Sequence, residues 1–135
     1  MNFNTTGKEN RASLTVLNDV SSDIAFVRLD CGIYSDGNSC DFSISSQTLP
    51  PCGFLLELKG RDMHHAIEQL ACTLNRLKKN DITVIYKEAS VVSSGAQKIP
   101  SGKWQKCQKQ FFTVNRIRLS HYPNNAKILF SKTIV

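Results

Sequence analysis

The chain reads as a single α/β (α+β) domain with a central mixed β-sheet flanked by helices. Two observations predict this. Short β-branched, apolar runs are separated by Gly, Pro, Asn and Asp, which is strand-and-turn chemistry. One long stretch repeats its apolar residues at helical spacing and lies between strand-like runs, giving the order strands, helix, strand, helix, strands. With 135 residues and 41% hydrophobic content, the chain has enough apolar surface for one core.

Residues 1–10, MNFNTTGKEN, are polar and expected to form a loose leader, which leaves 11–135 as the domain. SLTVLN (13–18) and DIAFVRLD (23–30) read as strands, and YSDGNS (34–39) as a turn. CDFSIS (40–45) alternates, with Phe42 and Ile44 on one face and Asp41, Ser43 and Ser45 on the other. Pro50-Pro51 marks 46–53 as a loop, and FLLELK (54–59) as the next strand. Asp62 is a candidate N-cap for a helix over 62–78, where Met63, Ala66, Ile67, Leu70, Leu74 and Leu77 recur on one face. ITVIYKEASVVSS (82–94) holds one or two strands and KWQKCQKQFFTV (103–114) a basic helix. RIRLS (116–120) and KILFS (127–131) are expected as closing strands, with His121 and Tyr122 in a loop before Pro123.

No apolar run approaches the ~18 residues of a membrane span, and the N-terminal residues lack the apolar core of a secretory signal. Five cysteines without C-x-x-C spacing suggest reduced thiols, so a cytoplasmic protein is expected. Charge is unevenly spread: residues 1–67 carry five Lys/Arg against eight Asp/Glu, and residues 68–135 carry twelve against three. A basic half beside an acidic half suits a protein that holds a polyanion near carboxylates.

The stretch CGFLLELKGRD (52–62) places Glu57 and Lys59 at the end of an apolar run. Alternation puts Leu55, Glu57 and Lys59 on one strand face, about 6.6 Å between successive members. If 40–45 and 54–59 form an antiparallel hairpin, paired residue numbers should sum to 98, 99 or 100. Sums of 98 or 100 put Asp41, Glu57 and Lys59 on a single face; a sum of 99 sends Asp41 to the other. Two facing carboxylates repel unless a cation lies between them. Mg²⁺ is bound by one or two carboxylates with waters and phosphate oxygens, and a neighbouring lysine can orient or deprotonate a water.

This Asp…Glu-x-Lys arrangement, with the helix DMHHAIEQLACTLNRL directly after it, resembles the PD-(D/E)XK nuclease superfamily, particularly its small stand-alone members. The close resemblance covers residues 40–78. It implies a restriction-endonuclease-like core, with Asp41, Glu57 and the Leu58 carbonyl binding Mg²⁺ (or Mn²⁺) and Lys59 acting on the attacking water. Gln69 matches a helical glutamine used near the site in some branches. An additional upstream acid is common in the superfamily, and the candidates here are Asp30 and Glu9. Cys40 stands where a proline is usual. By the same analogy the active form is a homodimer or a module beside other proteins.

Lys103, Lys106 and Lys109 recur every three residues around Trp104, and would form a phosphate-contacting stripe on a helix. Arg116 and Arg118 are expected on one strand face, extending that track, while Trp104 is a candidate either for stacking on a base or for the core. His64-His65 lies on the first helical turn, close to the Glu-x-Lys strand. No Gly-rich phosphate loop, dinucleotide fingerprint or Ser-His-Asp order is present. The expectation is therefore a metal-dependent nuclease, a DNA endonuclease with a possible preference for branched or structured DNA. The alternative is a non-catalytic nucleic-acid-binding domain that retains the nuclease fold.

Overall fold

The computed structural model describes residues 2–4, 12–29, 39–59, 63–80, 83–93 and 100–135, with residues 2–4 and Lys59 described by their backbone alone. The strands are β1 (Asn2–Asn4), β2 (Ser13–Leu17), β3 (Ile24–Arg28), β4 (Phe42–Ser46), β5 (Cys52–Lys59), β6 (Ile85–Ser93), β7 (Arg118–Pro123) and β8 (Ala126–Leu129). The helices are α1 (Met63–Lys79), α2 (Ser101–Asn115) and α3 (Phe130–Thr133).

Strand β5 sits in the middle of a five-stranded sheet of order β3-β4-β5-β6-β7. Its residues from Gly53 to Leu58 are all buried, which explains why FLLEL is almost continuously apolar: both faces are covered. Strands β3, β4 and β5 run antiparallel, whereas β5, β6 and β7 run parallel. Parallel neighbours need long crossovers, and α1 and α2 supply them. The fold class expected from the sequence, α+β around a mixed sheet, is the one observed.

Each face of the sheet has its own core. On one face Leu55, Ala89, Val91 and Leu119 pack against Leu70, Leu74 and Leu77 of α1 and Phe111 of α2. Met63, Ala66, Gln69, Leu70, Thr73, Leu74 and Leu77 form the buried stripe of α1, at the spacing that faces one side of a helix. On the other face Ile44, Phe54, Leu56, Leu58 and Val92 meet Leu14 and Val16 of β2 and Phe130 of α3. Strands β1, β2 and β8 form a second sheet, so this layer closes the far side. Each fully buried Leu or Phe contributes roughly 1.5–3 kcal/mol relative to leaving it in water.

Gly53 matters to the hairpin between β4 and β5. A Cβ at this position would run into the Ile44 carbonyl oxygen and lie 2.8 Å from the Ser45 Cα, so only glycine lets the two strands approach here.

Four expectations are corrected. Asn2–Asn4, assigned to the loose leader, pairs antiparallel with β2. The strand expected over 116–120 begins at Arg118, because Arg116 ends α2 in the left-handed region (φ 60°), its amide donating to the Phe112 carbonyl. Arg116 and Arg118 therefore do not share a strand face. His121 and Tyr122 belong to β7, not to a loop, and the last expected strand gives way to α3 at Phe130. The turn over 34–38 lies outside the described residues.

Candidate functional site

Pairing between β4 and β5 sets Phe42 opposite Leu56, Ser43 opposite Leu55 and Ile44 opposite Phe54, a register in which the numbers sum to 98. Continued by one residue, it sets Asp41 opposite Glu57. The Asp41 amide donates to Glu57 Oε1 at 3.1 Å, and the Leu58 amide donates to Asp41 Oδ2 at 2.8 Å. Each carboxylate is thus anchored by a backbone N–H of the facing segment. The Leu29 amide donates to the Asp41 carbonyl at 2.8 Å, which ties the same residue to the chain leaving β3.

Glu57 is only 3% exposed, and Asp41 is half-buried. Alternation along β5 puts Glu57 on the face of Leu55, under α1. From α1, the Thr73 hydroxyl accepts from the Cys40 amide at 2.8 Å and donates to the Gln69 carbonyl at 2.7 Å. This chain links the residue before Asp41 to Gln69, which is buried and not a solvated helix residue. Burial pushes the Cys40 thiol well above its ordinary range, outweighing the Thr73 hydrogen bond, and the Glu57 and Asp41 carboxylates push it further. Cys40 is therefore a neutral, apolar floor beside two acids.

A hard cation fits this donor set. Mg²⁺ accepts one or two carboxylates, and takes its remaining ligands from carbonyls, waters and phosphate. In a strand the N–H and C=O of one residue point to the same neighbour, so the Leu58 carbonyl is directed to the Asp41 side, as its amide is. Among the described residues no group of three or more His, Cys, Asp and Glu is placed to hold a metal. Asp30 and Glu9, the upstream candidates, lie outside the described residues, as does the side chain of Lys59. The Lys59 backbone ends β5 in register with Ser93 of β6.

Lys103, Lys106 and Lys109 are all exposed on α2. Trp104 between them is half-buried against the α1-side core, with its ring edge-on to His121 at 6.0 Å between centroids. Its packing is that of a core anchor. Arg116 is exposed, whereas Arg118 is half-buried and engaged within the protein. Its guanidinium pairs with Glu88 (Nε to Oε1, 2.9 Å) and donates to the Lys132 and Val135 carbonyls at the end of the chain. The Arg118 side chain nonetheless stays 40% exposed. His64 is exposed at the start of α1 and His65 is half-buried.

Two arrangements escaped the sequence reading. Glu88, 2% exposed in β6, accepts from Ser90, Arg118, Ser120 and Tyr122. The available signal was an acid inside the apolar run VIYKEASVV, matched by Arg118, Ser120 and Tyr122 at every second position of RLSHYP. The other is the pair Ser93 Oγ and His121 Nε2, 2.7 Å apart at the ends of β6 and β7. Pro123, a residue that usually ends a strand, concealed the extended run that carries His121.

Comparison of the chain with protein-family models, with curated proteins and with solved structures gives no match. Among the described residues no helix is long and apolar enough to cross a membrane.

Proposed function

We propose that the chain is a metal-dependent nuclease of PD-(D/E)XK type that hydrolyses phosphodiester bonds, acting on DNA as an endonuclease. The observation that carries this reading is the β4–β5 register, which brings Asp41 and Glu57 together on the α1 side of the sheet. A nearly buried carboxylate held against a second one carries a repulsion that their backbone hydrogen bonds only partly offset. A site for a cation gains its ligands that way.

Asp41, Glu57 and the Leu58 carbonyl would hold Mg²⁺ or Mn²⁺. When bound, such an ion neutralises phosphate charge and lowers the pKa of water. Backbone amides fix both carboxylates, so their positions are set before substrate arrives. Lys59, two residues beyond Glu57, would orient or deprotonate the attacking water. Gln69, tied through Thr73 to Cys40, would line the α1 side of the site. The exposed lysines of α2 would carry the sugar-phosphate backbone by charge, independently of sequence. The active form is read as a homodimer or as a module beside another protein, which sedimentation with and without DNA would distinguish.

The test is cleavage of linear, supercoiled, single-stranded and branched DNA, and of RNA, with Mg²⁺, Mn²⁺ or EDTA. Metal-dependent cutting by the wild type, abolished in Glu57→Ala and Lys59→Ala, is the expected result. Salt-sensitive binding without cutting on any substrate would favour a non-catalytic binding domain.

A further inference from the structure

Parallel pairing aligns Glu57 of β5 with Val91 of β6, and Val91 with His121 of β7. With Asp41 opposite Glu57, one transverse row runs Asp41, Glu57, Val91, His121 across four neighbouring chain segments. Residues aligned in this way project to one face, here the α1 side, where Val91 and Leu119 are both buried in the core. His121 thus lies two strand spacings, ~10 Å, from Glu57 on the same side of the sheet. One step further along the strands, Ser93 stands in register with the Lys59 backbone. Strands β5, β6 and β7 all end here, and the carboxyl ends of parallel strands are where open α/β sheets bind ligands.

Val91 between the acids and His121 is fully buried and apolar, so the row has polar groups at both ends and a flat middle. His121 is exposed and Ser93 half-exposed, so their hydrogen bond faces solvent and is not a core contact. Trp104 holds the imidazole edge-on, and the exposed Lys103 precedes Trp104 on α2. Either atom can donate in this hydrogen bond, depending on the imidazole tautomer; in the tautomer whose Nε2–H donates to Ser93 Oγ, the Ser93 hydroxyl hydrogen is available to an anionic oxygen.

We infer that Ser93 and His121 form a phosphate subsite, binding a phosphodiester adjacent to the one positioned at Asp41 and Glu57. This rests on the nuclease reading for the location of the scissile phosphate, but the binding itself is separable from cleavage. The pair positions the strand: Ser93 donates to a phosphate oxygen, and His121 orients the hydroxyl. Lysines 103, 106 and 109 then extend the same track along α2.

The test uses the full chain and a set of DNA duplexes, each with one phosphate near the cut or bound centre replaced by a neutral methylphosphonate. Binding is measured in Ca²⁺, and cleavage separately in Mg²⁺. Wild-type protein should lose about tenfold in affinity at one position of the scan, the size expected for one charge-assisted hydrogen bond. Ser93→Ala and His121→Asn should bind unmodified DNA more weakly, and lose less than about twofold at that same position. Thermal melting confirms that both variants are folded, and Ser93→Thr, which keeps the hydroxyl, should restore the wild-type scan. A scan that is the same in wild type and both variants overturns the subsite even if cleavage is robust. The predicted scan without any cleavage overturns the nuclease reading and leaves the subsite standing. Absence of DNA binding overturns both.

Discussion

Asp41 and Glu57 hold each other's segments: the Asp41 amide donates to Glu57 Oε1, while the amide after Glu57 donates to Asp41 Oδ2. Two carboxylates on facing strands carry a Coulombic cost that the backbone hydrogen bonds only partly offset. Without metal, Glu57→Gln should therefore fold at least as stably as the wild type, since a glutamine oxygen can still accept the Asp41 amide. With Mn²⁺ present, the melting temperature of the wild type should rise and that of the variant should not. Calorimetric melts in EDTA and in Mn²⁺ measure both.

Gly53 keeps the strands in the register on which the pair depends. Gly53→Ala places a methyl group against the Ile44 carbonyl and should destabilise by about 1–3 kcal/mol. Urea unfolding reads this directly, and cleavage should fall with it if the register shifts.

Glu88→Ala should be the most damaging single change on the far face. It removes an acceptor used by four side chains and leaves the Arg118 guanidinium without its buried partner. Breaking a buried pair costs about 3–5 kcal/mol, and the lower end applies because the Arg118 side chain is 40% exposed. The network also ties the end of the chain to the sheet through the Lys132 carbonyl, so α3 should lose hydrogen-exchange protection first.

Tyr122 gives a pH signature. Burial, followed by the neighbouring Glu88 carboxylate, raises its pKa above the ordinary value of 10.0. The unfolded chain therefore releases this proton first, and between the two pKa values the folded state binds more protons. Stability from this residue is complete below about pH 10 and declines as pH rises further. Relative to Tyr122→Phe, the wild type should lose stability steeply in alkaline urea titrations and not at neutral pH.

Replacing Lys103, Lys106 and Lys109 by alanine should weaken DNA binding for all sequences alike. The slope of log affinity against log salt should shrink by roughly 0.9 for each phosphate that the protein no longer neutralises. Stability should change little, since the three side chains are exposed.

Much of this was legible in the sequence because period and turn chemistry act locally. The run FLLELK needed only alternation to place Glu57 beside Leu55, and the loop at Pro50-Pro51 fixed its register with CDFSIS to three choices, one of which is observed. Helix α1 followed from its apolar spacing. What escaped depended on distant partners. Arg118 looked like a surface cation until Glu88, thirty residues earlier, was placed beside it. His121 looked like a loop residue because the strand carrying it gains its order from pairing with β6. Neither fact is local, so neither has a local signature.

The most direct measurement is Mn²⁺ binding to the protein–DNA complex, followed by electron paramagnetic resonance, for the wild type, Asp41→Asn and Glu57→Gln. Specific Mn²⁺ binding in the wild type, lost in both folded variants while DNA binding persists, is the predicted result. Equal Mn²⁺ binding by all three proteins would contradict the account, since the two carboxylates would then not be the ligands.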